Sequence, residues 1–249
     1  MHRTPETWKG DSIMQFSTPL YRLKRQARQT ARASGIPLHK ALDDSAKALG
    51  FQGWSHLSAE SARHSPAISI LSRVRAGELV LIAGRPGHGK TLLGLDMVAL
   101  AAQFGRRGHF FSLDYTDRDV TDGLRDLGHR HFAGAGAPVI DTSDAICADH
   151  VVTRLSSADG PVLAVIDYLQ LLDQRRTNPP LDSQLDRLQC FARDTGAVIA
   201  LLSQVDRRFD DAGKRRPDRL DIRLPNPADL DRFSRFCFLH DGQLHMEPV

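Results

Sequence analysis

The chain has 249 residues, 41% of them hydrophobic and 25% charged, with a formal net charge of +3. That length admits one large domain or a domain with a small appendage, and no apolar run approaches the roughly 20 residues that a membrane-spanning helix needs. Segment 1–13 lacks the apolar core of a secretory signal, and Cys147, Cys190 and Cys237, odd in number and far apart, favour buried reduced thiols in a cytoplasmic protein over a disulfide framework or a zinc site.

Charge is unevenly spread. Residues 1–66 carry 10 Lys/Arg against 5 Asp/Glu, and residues 67–249 carry 23 against 25. The basic character therefore belongs to the N-terminal quarter, which suits either an anionic partner or solvated helix faces.

Residues 1–17 show no clear period and read as a loose lead-in. Leu20, Leu23, Ala27 and Ala31 then fall at helix spacing, with Arg22, Lys24, Arg25, Arg28 and Arg32 on the remaining faces. Gly35-Ile36-Pro37 breaks that run, a second helix follows over 38–49, and Phe51 and Trp54 open a third short helix through His56 and Leu57. These three form a compact helical module with the two aromatics in its core. Its basic first helix either touches phosphate or faces solvent. Residues 62–66 read as a polar joint.

Beyond the joint, apolar runs alternate with helical segments. Strands are expected over 79–83, 109–113, 138–141, 162–166, 198–202 and 236–240, with helices over 91–104, 117–127, 145–155 and 183–195. Asp241-Gly242 is a hairpin signal that would pair 244–246 antiparallel with the preceding strand. The alternation predicts an α/β fold with a doubly wound, mostly parallel sheet.

The chemistry begins after the first of these strands. Gly84-Arg85-Pro86-Gly87-His88-Gly89-Lys90-Thr91 fits G-x-x-x-x-G-K-[ST] at every fixed position, between an apolar strand and a helix. A polyphosphate is held by backbone N–H groups pointing inward, so side chains must be absent where the chain wraps it. Lys90 can then reach the β- and γ-phosphates, Thr91 can ligate Mg²⁺, and the helix adds its positive end. The pattern points to a nucleoside triphosphate.

Three later strands deliver a polar residue to the carboxyl edge of the sheet, where ligands of open α/β folds sit. Asp167 follows the buried run V-L-A-V-I and suits the Mg²⁺ shell opposite Thr91. Asp114 follows F-F-S-L and is either a general base for water or a helix-capping, solvated aspartate. Gln204 follows V-I-A-L-L-S and either senses the γ-phosphate or makes a structural hydrogen bond.

Together the phosphate loop, V-I-D-Y-L-Q-L-L at 165–172 and L-S-Q-V-D-R at 202–207 resemble the core of DnaB-type replicative helicases, a RecA-like P-loop ATPase. The likeness extends through F-S-L-D-Y at 111–115 and more weakly through 213–223. It implies ATP with Mg²⁺, assembly into a homo-oligomeric ring, and single-stranded DNA in the ring channel. By position, Lys90 and Thr91 would hold phosphate and metal, Asp167 would support Mg²⁺, and Gln204 would couple the nucleotide to the DNA-facing loops.

Two basic loops, with Arg175 and Arg176 in one and Arg207, Arg208, Lys214, Arg215 and Arg216 in the other, stand where the resembled helicases contact DNA. Adjacent arginines on Pro/Gly-rich loops suit phosphate backbones without base preference; solvated surface loops would read the same way. The departures are equally specific. Asp114 stands where those helicases have glutamate, which implies slow hydrolysis, and L-P-N-P-A-D-L-D at 224–231 differs from their pattern. No K-x-R-N-G-P-T-G-like arginine-finger run or large N-terminal helicase domain is found, so a short, single-core relative is expected, with a helical module at 1–66 and the ATPase core at 67–249. Either a motor on single strands or a rarely hydrolysing switch that binds a protein through the N-terminal helices fits these features.

Overall fold

A computed structural model describes residues 20–63, 65–129, 134, 136–172, 178–211, 213–224, 226–241 and 243–248. In chain order the elements are α1 (Leu20–Ser34), α2 (Leu38–Ala48), α3 (Trp54–Arg63), α4 (Pro66–Leu71), β1 (Leu79–Gly84) and α5 (Lys90–Leu100), which runs on as a 3₁₀ turn, Ala101–Phe104. Then come β2 (Arg107–Ser112), α6 (Asp117–Leu127), β3 (Val139–Asp141), α7 (Ala148–Ser156), β4 (Val162–Asp167) and α8 (Leu181–Thr195). The last are β5 (Val198–Gln204), α9 (Arg208–Asp211), β6 (Arg235–His240) and β7 (Gln243–Pro248).

The strands lie side by side in the order β3-β2-β4-β5-β1-β6-β7, parallel throughout except for the antiparallel β6/β7 hairpin. The mostly parallel α/β sheet expected from the sequence is the one observed. Side chains alternate across the central strands, and each face has its own core. Leu79, Leu81, Ala164, Ile166, Ile199 and Leu201 pack with α7 and α8. Val80, Ile82, Leu163, Val165, Ala200 and Leu202 pack with α4, α5 and α6. Burial on both faces explains why β1, β4 and β5 read as unbroken apolar runs.

One close approach sets how α5 crosses the sheet. A Cβ on Gly108 of β2 would fall 2.1 Å from the Val98 carbonyl oxygen of α5. Only glycine lets helix and strand meet there.

The N-terminal helices share a small core of Leu23, Ala46 and Leu57, with Leu20, Phe51 and Trp54 packed on it. The basic face of α1 is partly occupied by the rest of the chain: Lys24 Nζ donates to the Asp126 carbonyl oxygen at 2.8 Å, and Arg28 pairs with the Asp126 carboxylate at 2.8 Å. These cations sit at the C-terminal end of α6, where the helix dipole favours positive charge.

Three local expectations need correction. Helices reach into the expected polar joint at 62–66 from both sides: α3 runs to Arg63, and α4 starts at Pro66, capped by the Ser65 hydroxyl accepting from Ala67 N–H at 3.1 Å. Pro at the first helical position after a serine cap is a start signal rather than a break. Of the three free thiols, only Cys237 is buried, with its pKa pushed up to about 12 by that burial; Cys190 is exposed and Cys147 lies between. The strand expected over 109–113 starts earlier, at Arg107. Among the described residues no helix is long and apolar enough to cross a membrane.

Gly108→Ala is expected to lower the unfolding free energy by about 1–3 kcal/mol, because α5 or β2 must shift to admit the methyl group. Urea denaturation measures this, and an unchanged midpoint would contradict the close approach.

Candidate functional site

Gly84 ends β1 between Gln204 of β5 and Leu239 of β6. A Cβ there would stand 2.7 Å from the Leu239 carbonyl oxygen. Gly87 (φ +78°) and Gly89 (φ +88°) carry the turn through left-handed backbone, which side chains disfavour. The chain then enters α5 at Gly89 with no side-chain cap, so no side chain competes for the first-turn N–H groups that an anion would use.

Lys90 Nζ donates to the carbonyl oxygens of Gly84 at 2.8 Å and Arg85 at 3.1 Å. Burial pulls its pKa down to about 8; Asp167 opposes that fall and Arg85 adds to it. Asp167 closes β4 and is only 5% exposed. Burial pushes its pKa up to about 6, against the nearby Thr91 hydroxyl and the charge of Lys90, with Asp114 adding to the rise. Its Oδ2 is buried without a hydrogen-bond partner.

A hydroxyl beside a carboxylate that has one oxygen without a hydrogen-bond partner fits a magnesium ion, which takes one or two protein oxygens and completes its shell with phosphate and water. Among the described residues no cluster of three or more His, Cys, Asp or Glu is gathered for a metal, so an all-protein cage is not what they offer.

Asp114 lies just past β2, which pairs with β4 so that Ser112 faces Asp167 in register. The Ser112 hydroxyl accepts the Asp114 N–H at 3.3 Å, and Asp114 is exposed at the edge. Gln204 ends β5 beside Gly84; its Oε1 accepts from Arg223 Nη1 at 3.1 Å, and its carbonyl accepts the Arg223 N–H at 2.8 Å. Gln170 Nε2 donates to the Ser203 hydroxyl at 2.9 Å and to the Arg223 carbonyl at 2.6 Å, fastening that segment against β5.

Lys90, Thr91, Asp114, Asp167 and Gln204 are thus brought to one edge of the sheet. Other expected residues are placed differently. The Arg85 side chain turns out of the loop, toward Val205 and Asp210. His88 stacks obliquely on His240, ring centroids 5.7 Å apart, and Pro86 is exposed. Arg207, Arg208, Arg215 and Arg216 are exposed, whereas Lys214 is held by Asp218 at 3.0 Å and Asp221 at 3.1 Å. Arg175 and Arg176 lie outside the described residues.

Sequence reasoning gave no role to Arg223 or Gln170. Gln170 stands inside V-I-D-Y-L-Q-L-L at 165–172, one of the runs that carry the resemblance, and that placement was the available signal. Arg223 meets Gln204 only because Val205 and Ile222, far apart in sequence, form a bridge that no local pattern announces.

This sheet, with its phosphate loop after β1 and a carboxylate closing β4, defines a RecA-like P-loop core. Within that class the chain resembles the ATPase core of DnaB-type replicative helicases. It is 26% identical over 208 residues to the replicative DNA helicase DnaB of Mycoplasma genitalium, covering 69% of this chain and 44% of that protein. It is 28% identical over 186 residues to a probable plasmid replicative DNA helicase of Chlamydia trachomatis, covering 62% of this chain and 41% of that protein. The match therefore spans less than half the length of these relatives.

Two solved structures share the fold. An isolated ATPase domain matches with a TM-score of 0.55 and 20% identity over 74% of this chain and 81% of that one. A DnaB-like replicative helicase, described with its interactions with primase, matches with a TM-score of 0.55 and 15% identity over 87% of this chain and 64% of that one. No protein-family model matches the chain.

The two shifted groups give opposite pH slopes. Asp167 holds its proton to a higher pH when folded, so its contribution to stability is present below 3.8 and is lost as the pH rises through about 6. Lys90 loses its proton earlier when folded, so its contribution is present above 10.5 and is lost as the pH falls through about 8. Urea unfolding should show the stability of the wild type, relative to Asp167→Asn, declining as the pH rises across the Asp167 window. A difference that does not vary with pH would contradict the burial of this carboxylate.

Proposed function

We propose that the chain binds ATP with magnesium, hydrolyses it slowly, and acts as a RecA-like motor or clamp on single-stranded DNA. The observation that carries this reading is the Asp167 carboxylate, sealed at the end of a buried strand beside Thr91 and Lys90 of the phosphate loop, with one buried oxygen that has no hydrogen-bond partner. The likeness to replicative helicases supports it.

Each residue has a definite task. The backbone of 84–91 wraps the phosphates, and Lys90 exchanges the carbonyls of Gly84 and Arg85 for phosphate oxygens. Thr91 and Asp167 hold the metal, which when bound neutralises charge on the β- and γ-phosphates. Asp114 takes the proton of the attacking water. An aspartate stands one methylene further back than the glutamate of the resembled helicases, and a base that far from its water is inefficient. Gln204 answers to the γ-phosphate and passes its position to Arg223.

Arg207, Arg208, Arg215 and Arg216 meet the DNA backbone, joined by Arg175 and Arg176 on the other loop. Lys214 contributes less, since Asp218 and Asp221 already neutralise it. The chain works as a homo-oligomer, with residues 1–66 an appendage to the ATPase core at 67–249.

ATPase and strand-binding assays test this reading. Single-stranded DNA is expected to stimulate turnover, and Lys90→Ala to abolish nucleotide binding. With about six arginines on phosphate, log affinity for a single strand should fall against log salt with a slope of about −4. Asp114→Glu should raise the turnover rate about tenfold or more by closing the gap to the water. Turnover indifferent to Lys90→Ala, or no effect of any single strand at low salt, would overturn the motor.

A further inference from the structure

Arg85 is the second residue of the phosphate loop, yet its guanidinium lies outside the wrap. Nη1 donates to the Val205 carbonyl oxygen at 3.1 Å, and Nη2 pairs with Asp210 Oδ2 at 2.7 Å. Val205 directly follows Gln204, and Asp210 lies in α9, so one side chain holds both ends of the turn that opens the basic segment.

The same turn is gripped a second time. The rings of buried Phe209 and of His240 meet nearly at right angles, centroids 5.1 Å apart, and His240 in turn lies against His88 of the loop. Between these holds stand Arg207 and Arg208, both exposed.

Backbone carbonyls complete the linkage. The Gly84 carbonyl accepts both Lys90 Nζ at 2.8 Å and the Val205 N–H at 3.2 Å. The Arg85 carbonyl accepts Lys90 Nζ at 3.1 Å. A triphosphate that draws Lys90 onto its oxygens takes it from these two carbonyls. One of them belongs to the residue that clasps α9, and the other to the partner of the strand that leads into it.

The geometry points to Arg85 as a positioning residue: it carries occupancy of the phosphate loop to α9 and to Arg207 and Arg208 through its ion pair with Asp210. This rests on the reading that the loop takes Mg·ATP. The path is separate from the Gln204–Arg223 hydrogen bond, which reaches the facing side of the Val205/Ile222 bridge and not Asp210. The Asp210 side of this ion pair is half exposed, and a pair open to water adds little to stability, so removing that carboxylate should spare the fold while breaking the connection.

Amide hydrogen exchange over 206–211, measured on the full chain with and without magnesium and a non-hydrolysable ATP analogue, tests the proposal, and a fluorescent ATP analogue reports binding separately. In the wild type, bound nucleotide is expected to change exchange in 206–211 by about threefold or more. Asp210→Asn should leave that segment unresponsive while nucleotide affinity stays within about twofold, and Asp210→Glu should restore the response. A wild type that binds nucleotide without any change in 206–211 would overturn the proposal, as would an Asp210→Asn protein that responds like the wild type. Failure of the fluorescent analogue to bind the wild type would instead remove the nucleotide reading of the site, and this linkage with it.

Discussion

A carboxylate confined at the end of a strand buried on both faces is the constraint around which the molecule is built. Water is withdrawn from Asp167 and from Lys90 together, and for each the loss of solvation outweighs the attraction of the other. Near neutral pH such a pair costs stability rather than supplying it. The apolar strands carry that cost: β1 and β4 are buried at every position, and each fully buried aliphatic side chain contributes roughly 1.5–3 kcal/mol. Perturbed titratable groups at an open sheet edge, one of them with an unused acceptor, are the physical mark of a functional site.

The parallel sheet turns this local cost into a constellation. Because β1, β2, β4 and β5 run the same way, the loop, Asp114, Asp167 and Gln204 all emerge at one edge. The basic segment also begins there, because it follows β5. On the opposite flank, α6 starts at Asp117, shortly beyond Asp114, and near its end Asp126 receives Lys24 and Arg28 of α1. The N-terminal helices therefore rest on the helix that follows the candidate base, and part of the positive charge that suggested an anionic ligand for α1 is engaged within the chain.

Much of this was legible because it is written locally. The phosphate loop is a contiguous octet whose glycines answer to backbone geometry, and the buried strands are unbroken apolar runs bounded by turn residues. Asp114, Asp167 and Gln204 stand out because each directly follows such a run. What escaped depends on residues far apart in the chain. Arg85 sits inside the phosphate-loop pattern, but its partner lies 125 positions away. The stretch from Val205 to Ser234 has no period to read; it is pinned by single long-range bonds, such as Asp206 N–H to the Asp221 carbonyl at 2.7 Å and Arg232 to Asp182 at 3.0 Å. The start of α4 escaped for a different reason, since Ser-Pro signals a helix start as readily as a joint.

The claim on which the rest depends is that a triphosphate and its metal sit between 84–91 and Asp167. A crystal structure grown with magnesium and a non-hydrolysable ATP analogue measures this directly. Density for the phosphates inside the glycine wrap is expected, with Lys90 moved onto them and the metal between the Thr91 hydroxyl and the Asp167 carboxylate. Phosphates bound elsewhere on the molecule, or a metal that leaves Asp167 untouched, would contradict it.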